Sequence, residues 1–220
     1  MGSVSILRES VATSQPVWQV VNVCERGAAL LLLIATSPIL AASALAVWKF
    51  SGRTPWIAHR RLGRRGEVLW MLKLRTMWNS PDARQDAPTG WIEYIADDAG
   101  ARDKRAGDPR VGHWFARFCR KHSIDELPQL WHVVRGEMAL VGPRPMTASE
   151  LRQHYGADAA EVLEVKPGIA GLWQTSGRNR LTYSERRDLD LRFVRQRTLA
   201  MYAQILLRIL PEICSGSNTW

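Results

Sequence analysis

The sequence has few cysteines and lacks the spacings from which disulfide frameworks and zinc sites are built. Cys24, Cys119 and Cys214 are odd in number and far apart, and no CxxC pair occurs. The five histidines form no HExxH or comparable metal-ligand pattern. A disulfide-stabilised secreted fold and a zinc enzyme are therefore not indicated, and buried or incidental thiols fit a reducing compartment.

Acidic residues are also scarce, with 21 Asp and Glu against 30 Lys and Arg and a formal net charge of +9. Residues 28–47 carry no charge and the residues before them balance to zero, so the whole excess follows Trp48. A basic globular part predicts an anionic partner: a nucleic acid, an anionic lipid or a phosphorylated substrate. We expect no nucleic acid, because no helix-turn-helix or RRM signature occurs and nucleic-acid binding would not explain the apolar run.

The uncharged run at residues 28–47 would form a helix about 30 Å long, which matches the hydrocarbon core of a bilayer. Composition leaves three interpretations open. The run could be a signal peptide cleaved near Ala42-Ser43-Ala44, a helix that spans the membrane, or a re-entrant helix that breaks at Ser37-Pro38 and returns to the same side. The basic residues that follow the run place its C-terminal side in the cytoplasm.

Pro38 lies near the middle of this run and removes one hydrogen bond of the helix. In lipid the freed carbonyl needs another partner. The hydroxyls of Thr36 and Ser37 are close enough to provide one.

The rest of the chain predicts a mixture of helices and strands. Residues 54–62 and 67–75 flank Gly63-Arg64-Arg65-Gly66 and indicate a β-hairpin, whose second strand carries Lys73 and Arg75 on one face. We expect a polar excursion at 79–109 with a short helix around 91–96, and a loop at 166–179. Further elements are predicted at 111–122, 125–135, 147–164 and 183–210 (helices) and at 138–141 (a strand). The apolar end of the last helix is typical of a membrane-surface helix or of a core helix.

The densest group of reactive side chains runs from Arg120 to Pro128. Ser123 and Glu126 have the spacing of a helix capping box. A helix that begins at Asp125 would place Pro128 in its first turn, where a missing N–H costs little. Asp125 and Glu126 would then lie together at a helix N-terminus, where two adjacent carboxylates need a metal or cations to stay charged. Mg²⁺ with a phosphorylated substrate fits that need, and plain helix capping is the alternative.

Five ordered blocks resemble the catalytic domain of the bacterial sugar transferases called monotopic phosphoglycosyl transferases. The resemblance covers about residues 20–215. The blocks are Lys73 to Met77, Asp108 to Val111, Ser123 to Gln129, Arg135 to Pro145 and Lys166 to Asn179.

The resemblance implies a two-step reaction in which Asp125 is the nucleophile. It would take a sugar-1-phosphate from a UDP-sugar, release UMP, and pass the phosphosugar to polyprenyl (undecaprenyl) phosphate. Glu126 matches a metal ligand or proton handler, so Mg²⁺ is expected at Asp125 and Glu126. The basic positions that match a diphosphate-binding role are Lys73, Arg75 and Arg110. Arg120, close in sequence to the Asp125-Glu126 dyad, is a further expected phosphate-binding residue. The segment Pro143-Arg144-Pro145 matches a loop implicated in nucleotide recognition.

The resemblance also implies the architecture. We expect an α+β, mostly helical monotopic membrane protein with a re-entrant helix broken at Ser37-Pro38, a β-hairpin and interfacial amphipathic helices. Residues 1–50 would hold the re-entrant helix at about 25–48, and residues 51–220 the catalytic domain on the cytoplasmic face of the inner membrane, in contact with membrane lipid. The multi-helix N-terminal region of larger relatives is missing, so a minimal form is expected. Oligomeric state stays open, with a homodimer as one possibility.

Four residues depart from the family pattern: Ile124 replaces Leu, His132 replaces Asn, Glu137 replaces Asp and Ala139 replaces Ser. The stretch from Glu150 to Gly156 and the GLWQTSGRN run resemble exopolysaccharide-initiating galactosyl phosphotransferases, which favours galactose. Glucose, an N-acetylated amino sugar, and a non-catalytic membrane-anchored binding protein are the alternatives.

Overall fold

The computed structural model describes residues 15–78, 90–96, 111–177 and 180–215, which form a mixed helix and strand structure. The first half of the chain contains a long helix α1 (Gln15–Ser51), strands β1 (Trp56–Leu62), β2 (Val68–Leu74) and β3 (Ile92–Ile95), and helix α2 (Trp114–Lys121). A 3₁₀ segment (Ile124–Gln129), called the dyad segment below, leads into helix α3 (Leu130–Arg135). The elements that follow are β4 (Ala139–Val141), α4 (Ala148–His154), α5 (Ala159–Val162), β5 (Gly168–Ala170), α6 (Leu172–Thr175), α7 (Tyr183–Gln196) and α8 (Leu199–Ser215).

Helix α1 is long and apolar enough to cross a membrane by length and composition, and it continues through Pro38. Because Pro38 has no N–H, the carbonyl of Ile34 lacks its usual helical donor. The Ser37 hydroxyl donates to that carbonyl at 2.8 Å, and the Thr36 hydroxyl donates to Leu32 O at 2.7 Å. The prediction is confirmed for Ser37, whereas Thr36 bonds a carbonyl that Pro38 does not free. The predicted break of the helix at Ser37-Pro38 is not seen, because the helix continues through Pro38.

Both ends of the apolar run of α1 pack against the globular part of the molecule. At the start of the run Ala29 is fully buried in a cluster with Leu130 and Val133 of α3. Near its C-terminus Val47 is fully buried beside Leu74 and Cys119. The large apolar residues between these two contacts are mostly exposed: Leu30, Leu31, Leu32, Ile34 and Ile39. The middle of α1 is therefore an uncovered apolar surface.

Polar contacts fix the N-terminal part of α1. The Glu25 carboxylate accepts hydrogen bonds from the Leu140 amide at 3.2 Å and from the Tyr202 hydroxyl. The Arg26 guanidinium donates to Val134 O at 2.8 Å. Residues of α1 that precede the apolar run are thus bonded to α3, β4 and α8.

The predicted β-hairpin is confirmed. Strands β1 and β2 pair antiparallel, with Trp56 opposite Leu74 and Leu62 opposite Val68. The tight connection uses positive φ angles at Arg65 (57°) and Gly66 (80°), which glycine adopts at little cost.

The predicted short helix around 91–96 is wrong. Residues Ile92–Ile95 form β3, which pairs parallel with β1. The Tyr94 ring packs edge-on against Trp70 of β2, with ring centres 5.1 Å apart. Four residues are too few for a period to be read, and the pairing partner is more than thirty positions away in the chain.

The later helices are confirmed in position but divided differently. The 147–164 segment forms α4 and α5, separated at Tyr155 and Gly156, and the 183–210 segment forms α7 and α8, separated where Arg197 becomes extended. The 166–179 segment was predicted as a loop, yet it contains β5, parallel to β4, and α6.

Candidate active site

The dyad segment begins differently from the capped helix that its sequence predicted. Ser123 adopts the left-handed conformation (φ 54°) and its hydroxyl makes no capping bond, so the predicted capping box is wrong. Its carbonyl instead accepts the Glu126 amide at 3.0 Å. The segment is a 3₁₀ turn that contains Pro128, and α-helical geometry starts only at Leu130. The Glu126 side chain is therefore not used to cap the helix.

Glu126 pairs with a lysine of the neighbouring strand. Lys73 Nζ lies 2.8 Å from Glu126 Oε1, and both side chains are partly exposed. Strand β2 and helix α1 both pack against the dyad segment. The structure thus brings Asp125, Glu126 and Lys73 together next to the apolar helix.

Cys119 is the buried thiol nearest to this dyad. Its side chain is fully buried, and burial together with the negative charge of Asp125 raises the pKa of Cys119 to about 12. The thiol stays protonated at neutral pH, so Cys119 is not available as a nucleophile.

The other predicted phosphate-binding residues do not all lie with Lys73 at the dyad. Arg75 is almost fully buried and is bonded to Glu93 of β3 and to Thr54 O at 2.7 Å, so it ties the sheet together instead of joining Lys73 at Glu126. Arg120 is half-buried in the last turn of α2, and its carbonyl accepts the Ser123 amide at 3.2 Å. Arg110 lies outside the described residues.

Two of the departures from the family pattern contact each other. The His132 ring is buried, its Nδ1 lies 2.6 Å from Glu137 Oε2, and its Nε2 accepts the Leu72 amide at 3.1 Å. Because Nε2 accepts, the network assigns the ring proton to Nδ1, which donates to Glu137. The pair therefore joins α3 to the backbone of β2 immediately before Lys73. Sequence reasoning noted both replacements but did not connect them.

The Pro143-Arg144-Pro145 loop follows β4 and is held by two glycines. The Gly168 amide donates to Pro143 O at 2.8 Å, and the Gly142 amide donates to Ala170 O at 2.9 Å. A Cβ built on Gly168 would lie 2.0 Å from the Gly142 nitrogen, and one on Gly142 would lie 2.5 Å from Lys166 O. Any side chain at either position would push the loop away from β5.

Arg144 borders a cavity that the sequence did not predict. The cavity has a volume of about 370 Å³, counting its open mouth, and its other walls include Trp173, Tyr183, Arg186 and Asp190. Burial raises the pKa of Asp190 to about 7, opposed by a hydrogen bond from Tyr155 and by the charge of Arg144. Two signals in the sequence were Arg144, within the Pro143-Arg144-Pro145 segment, and Trp173, within the GLWQTSGRN block.

An exposed aromatic surface lies at the C-terminal end of α1. Phe50 packs against His113, with ring centres 5.0 Å apart, and against Phe115. Trp48 and Trp114 are each more than half exposed. Aromatic rings next to basic residues are typical of a membrane interface, and this surface adjoins the helix that leads into the dyad segment.

Comparison with known proteins yields one family and several relatives. The sequence model of the family described as bacterial sugar transferase matches residues 18–216. The exopolysaccharide production protein ExoY of Sinorhizobium fredii is 36% identical over 198 residues, which cover 87% of this chain and 84% of that protein. The UDP-galactose-lipid carrier transferase of Erwinia amylovora is 38% identical over 174 residues, 77% of this chain and 35% of that protein.

A third relative is the undecaprenyl-phosphate galactose phosphotransferase of Salmonella typhimurium, 38% identical over 177 residues, or 77% of this chain and 35% of that protein. The chain therefore spans most of the ExoY length but about a third of the length of these two galactose transferases.

Proposed function

The chain belongs to the bacterial sugar transferase family, and we propose that it transfers a sugar-1-phosphate from a UDP-sugar to undecaprenyl phosphate, releasing UMP. The observation that carries this proposal is the contact of Lys73 with Glu126, which places a cation at the Asp125-Glu126 dyad beside an apolar helix. Such a site joins a phosphate-handling group to a lipid-facing surface. Galactose is the proposed sugar, since two relatives are named for galactose transfer.

In the first proposed step the Asp125 carboxylate attacks the sugar-bearing phosphorus of the UDP-sugar. A new carboxylate O–P bond forms, the bond from that phosphorus to the bridging oxygen breaks, and UMP leaves with the bonding electron pair. The ammonium group of Lys73, which is held at Glu126, stabilises the negative charge that develops on the phosphoryl oxygens.

In the second step a phosphate oxygen of undecaprenyl phosphate attacks the phosphorus bound to Asp125. The carboxylate is released and the product is undecaprenyl diphosphate-sugar. The place of the dyad segment against α1 supports this step, because the lipid phosphate arrives at the membrane surface.

A magnesium ion fits this donor set when the substrate completes it. Within the described parts of the chain no group of three or more His, Cys, Asp or Glu side chains could hold a metal. Mg²⁺ commonly takes one or two carboxylates and fills its other positions with water and substrate phosphates. Asp125 and Glu126 would hold the ion, which would neutralise charge on the diphosphate.

The contacts of α1 support a re-entrant topology on the cytoplasmic side. A helix crossing the bilayer between Ala29 and Val47 would separate Glu25 and Arg26 from the groups they bond, Leu140, Tyr202 and Val134. Both ends of the apolar run contact the same globular part, which fits entry and exit on one side.

An assay of UMP release tests the proposal. Purified protein with undecaprenyl phosphate and Mg²⁺ should turn over UDP-galactose faster than UDP-glucose or UDP-N-acetylglucosamine, and excess EDTA should abolish turnover. Asp125→Asn should be inactive and Lys73→Met slowed at least about tenfold, since a charge-stabilising donor is lost. Asp188→Asn, an exposed carboxylate paired with Arg187, is the matched control and should retain activity. Equal turnover by Asp125→Asn would contradict the proposal.

A further inference from the structure

We propose that four basic side chains at the start of the apolar run bind the headgroup phosphate of an anionic phospholipid, whose acyl chains lie along α1. These residues, called the basic cluster below, are Arg26, Arg64, Lys166 and Arg197. The site would hold a resident membrane lipid, not the lipid that is consumed in the reaction. It therefore does not depend on the proposed transfer.

Two members of the basic cluster meet where α3 ends. A Cβ placed on Gly136 would lie 3.7 Å from Arg26 Nη1 and also 3.7 Å from Lys166 Nζ. Arg26 donates to Val134 O at 2.8 Å, and Lys166 Nζ donates to the side chain of Asn22 at 3.0 Å. These bonds hold two cations side by side against α1, just before its apolar run begins.

Arg64 and Arg197 extend the cluster from two other parts of the chain. Arg64 lies in the connection between β1 and β2, is exposed, and donates through Nε to Glu164 O at 2.8 Å. Burial lowers the pKa of Lys166 and that of Arg197, and the positive charge of Arg64 lowers both further. Arg64 is therefore close enough to both cations to repel them. The Arg197 guanidinium lies 4.5 Å from the centre of the Trp18 ring, which limits its orientations.

The positive charge of the basic cluster is not neutralised by ion pairs. Within the described parts of the chain, none of its four members pairs with a carboxylate. Glu25 offsets part of the charge around Lys166, but its carboxylate is buried and already accepts from the Leu140 amide and the Tyr202 hydroxyl. Four like charges beside one engaged carboxylate favour an anion with several acceptor oxygens, as a phosphate has.

Apolar side chains next to these cations favour a lipid over a soluble phosphate. On α1, Leu30 follows Arg26 by one helical turn, and both Leu30 and Leu31 are exposed. On α8, the exposed Leu199 comes two residues after Arg197. A headgroup bound to the cations would bring its acyl chains next to these leucines, whereas free phosphate would leave them in water.

The place of the cluster along α1 distinguishes the resident lipid from the acceptor lipid. The charge of Asp125 acts on the pKa of Cys119, and Cys119 packs with Val47 towards the other end of the apolar run. Residues 26 and 47 are about 30 Å apart along a helix. Undecaprenyl phosphate must bring its phosphorus to Asp125 in order to react, so a lipid phosphate held at Arg26 belongs to a different molecule.

Native mass spectrometry of the full-length protein in a mild detergent tests this assignment. The wild type should bind dioleoylphosphatidylglycerol at least about tenfold more tightly than dioleoylphosphatidylcholine. The acyl chains are identical, only the first lipid has a net negative charge, and each nearby cation contributes roughly fivefold to the binding of an anionic lipid. Arg64→Glu reverses the charge of an exposed side chain, so it should weaken phosphatidylglycerol binding at least about tenfold and leave phosphatidylcholine binding unchanged.

Two variants of Lys166 separate its charge from its packing. Lys166→Gln should lose about fivefold in affinity for phosphatidylglycerol, whereas Lys166→Arg retains the charge and should bind as the wild type does. Arg152→Glu is the matched control for Arg64→Glu, because Arg152 is an exposed residue of α4 outside the cluster. Thermal midpoints without added lipid identify any variant that does not fold. If Lys166→Gln is one of them, the exposed Arg64→Glu decides the test.

Equal affinity of the wild type for the two phospholipids, or a preference that survives Arg64→Glu, would overturn the inference. An equal loss of preference in Arg152→Glu would overturn it too, because net charge alone would then explain the binding. A higher KM for undecaprenyl phosphate in Arg64→Glu, with phosphatidylglycerol binding unchanged, would assign the cluster to the acceptor lipid instead. Each of these results leaves UMP release by the wild type intact. Absence of that release would contradict the proposed function without altering the phospholipid measurement, so the two proposals can fail separately.

Discussion

Asp125 and Glu126 are neighbours in the chain but meet different surroundings. Glu126 is paired with Lys73 across a 2.8 Å contact, whereas Asp125 lies close enough to the buried Cys119 to affect its pKa. In the proposed mechanism the two carboxylates take different roles, with Glu126 stabilised by a cation and Asp125 attacking the substrate. A third carboxylate, that of Asp190, is more deeply buried than either of these.

Asp190 makes the stability of the fold depend on pH. Its pKa is raised from 3.8 to about 7 by burial, so the folded state retains a proton that the unfolded chain releases above about pH 4. Between these two values the folded state binds more protons, and stability must fall as pH rises. We expect the thermal midpoint in detergent to be lower at pH 8 than at pH 5.

The Asp190→Asn variant should lose this component of the pH dependence, because an amide does not titrate. Asp188→Asn is the matched control on the same helix and should follow the wild type. An unchanged slope in Asp190→Asn would contradict the explanation.

The sequence predicted the Asp125-Glu126 dyad but not the neighbours of the other charged residues. The motif from Ser123 to Gln129 is local, so the dyad could be predicted from consecutive residues. Arg75 shares its strand with Lys73, yet its partner Glu93 belongs to β3, whose pairing with β1 is not encoded near either residue. The Arg144 cavity joins three distant segments, and no local pattern indicates that Asp190 lies among them.

At the scale of elements, hairpin β1–β2 was predictable because its turn and both strands are contiguous. Strand β3 was not, since its pairing is long-range and its four residues also suit a helix turn. Residues 147–164 divide into α4 and α5 next to Gly156, whose φ of 50° favours glycine. A single glycine in the sequence does not by itself predict a turn. Tertiary context decided both cases.

The tie between α3 and β2 through His132 and Glu137 has a measurable effect on stability. Replacing His132 by Leu removes the acceptor of the Leu72 amide, and an unsatisfied buried group costs about 1–3 kcal/mol. The paired variant His132→Asn with Glu137→Asp should retain most of the stability, because the amide can accept from Leu72 and donate to Asp.

Chemical or thermal unfolding in one detergent compares these variants. Arg135→Leu is the control: its contact with Glu137 at 2.8 Å is on the surface, where an ion pair contributes about 0–1 kcal/mol. Equal stability of His132→Leu and the wild type would show that the tie is unimportant.

The whole molecule combines an uncovered apolar segment of α1 with a globular part bonded to both of its ends. If α1 is re-entrant, the N-terminus lies on the cytoplasmic side with the catalytic part. A Ser5→Cys variant, made in a chain with Cys24 and Cys214 replaced by Ser, should resist a membrane-impermeant thiol reagent until the cells are lysed. Arg192→Cys on exposed α7 is the cytoplasmic control and should behave identically.

Pro38→Ala provides the second arm of that experiment. The variant restores an uninterrupted helix long enough to cross, so a fraction of Ser5→Cys should become accessible from outside. If Ser5→Cys is labelled on intact cells while Pro38 is retained, α1 spans the membrane. That result would contradict the re-entrant proposal.

The central claim is covalent transfer through Asp125, and one measurement tests it directly. The protein is incubated with UDP-galactose and Mg²⁺ but without undecaprenyl phosphate, then digested and examined by mass spectrometry. We predict one hexose phosphate on the peptide containing Asp125, its loss when undecaprenyl phosphate is added, and no adduct in Asp125→Asn. An adduct on a different residue, or full UMP turnover by Asp125→Asn, would contradict the account.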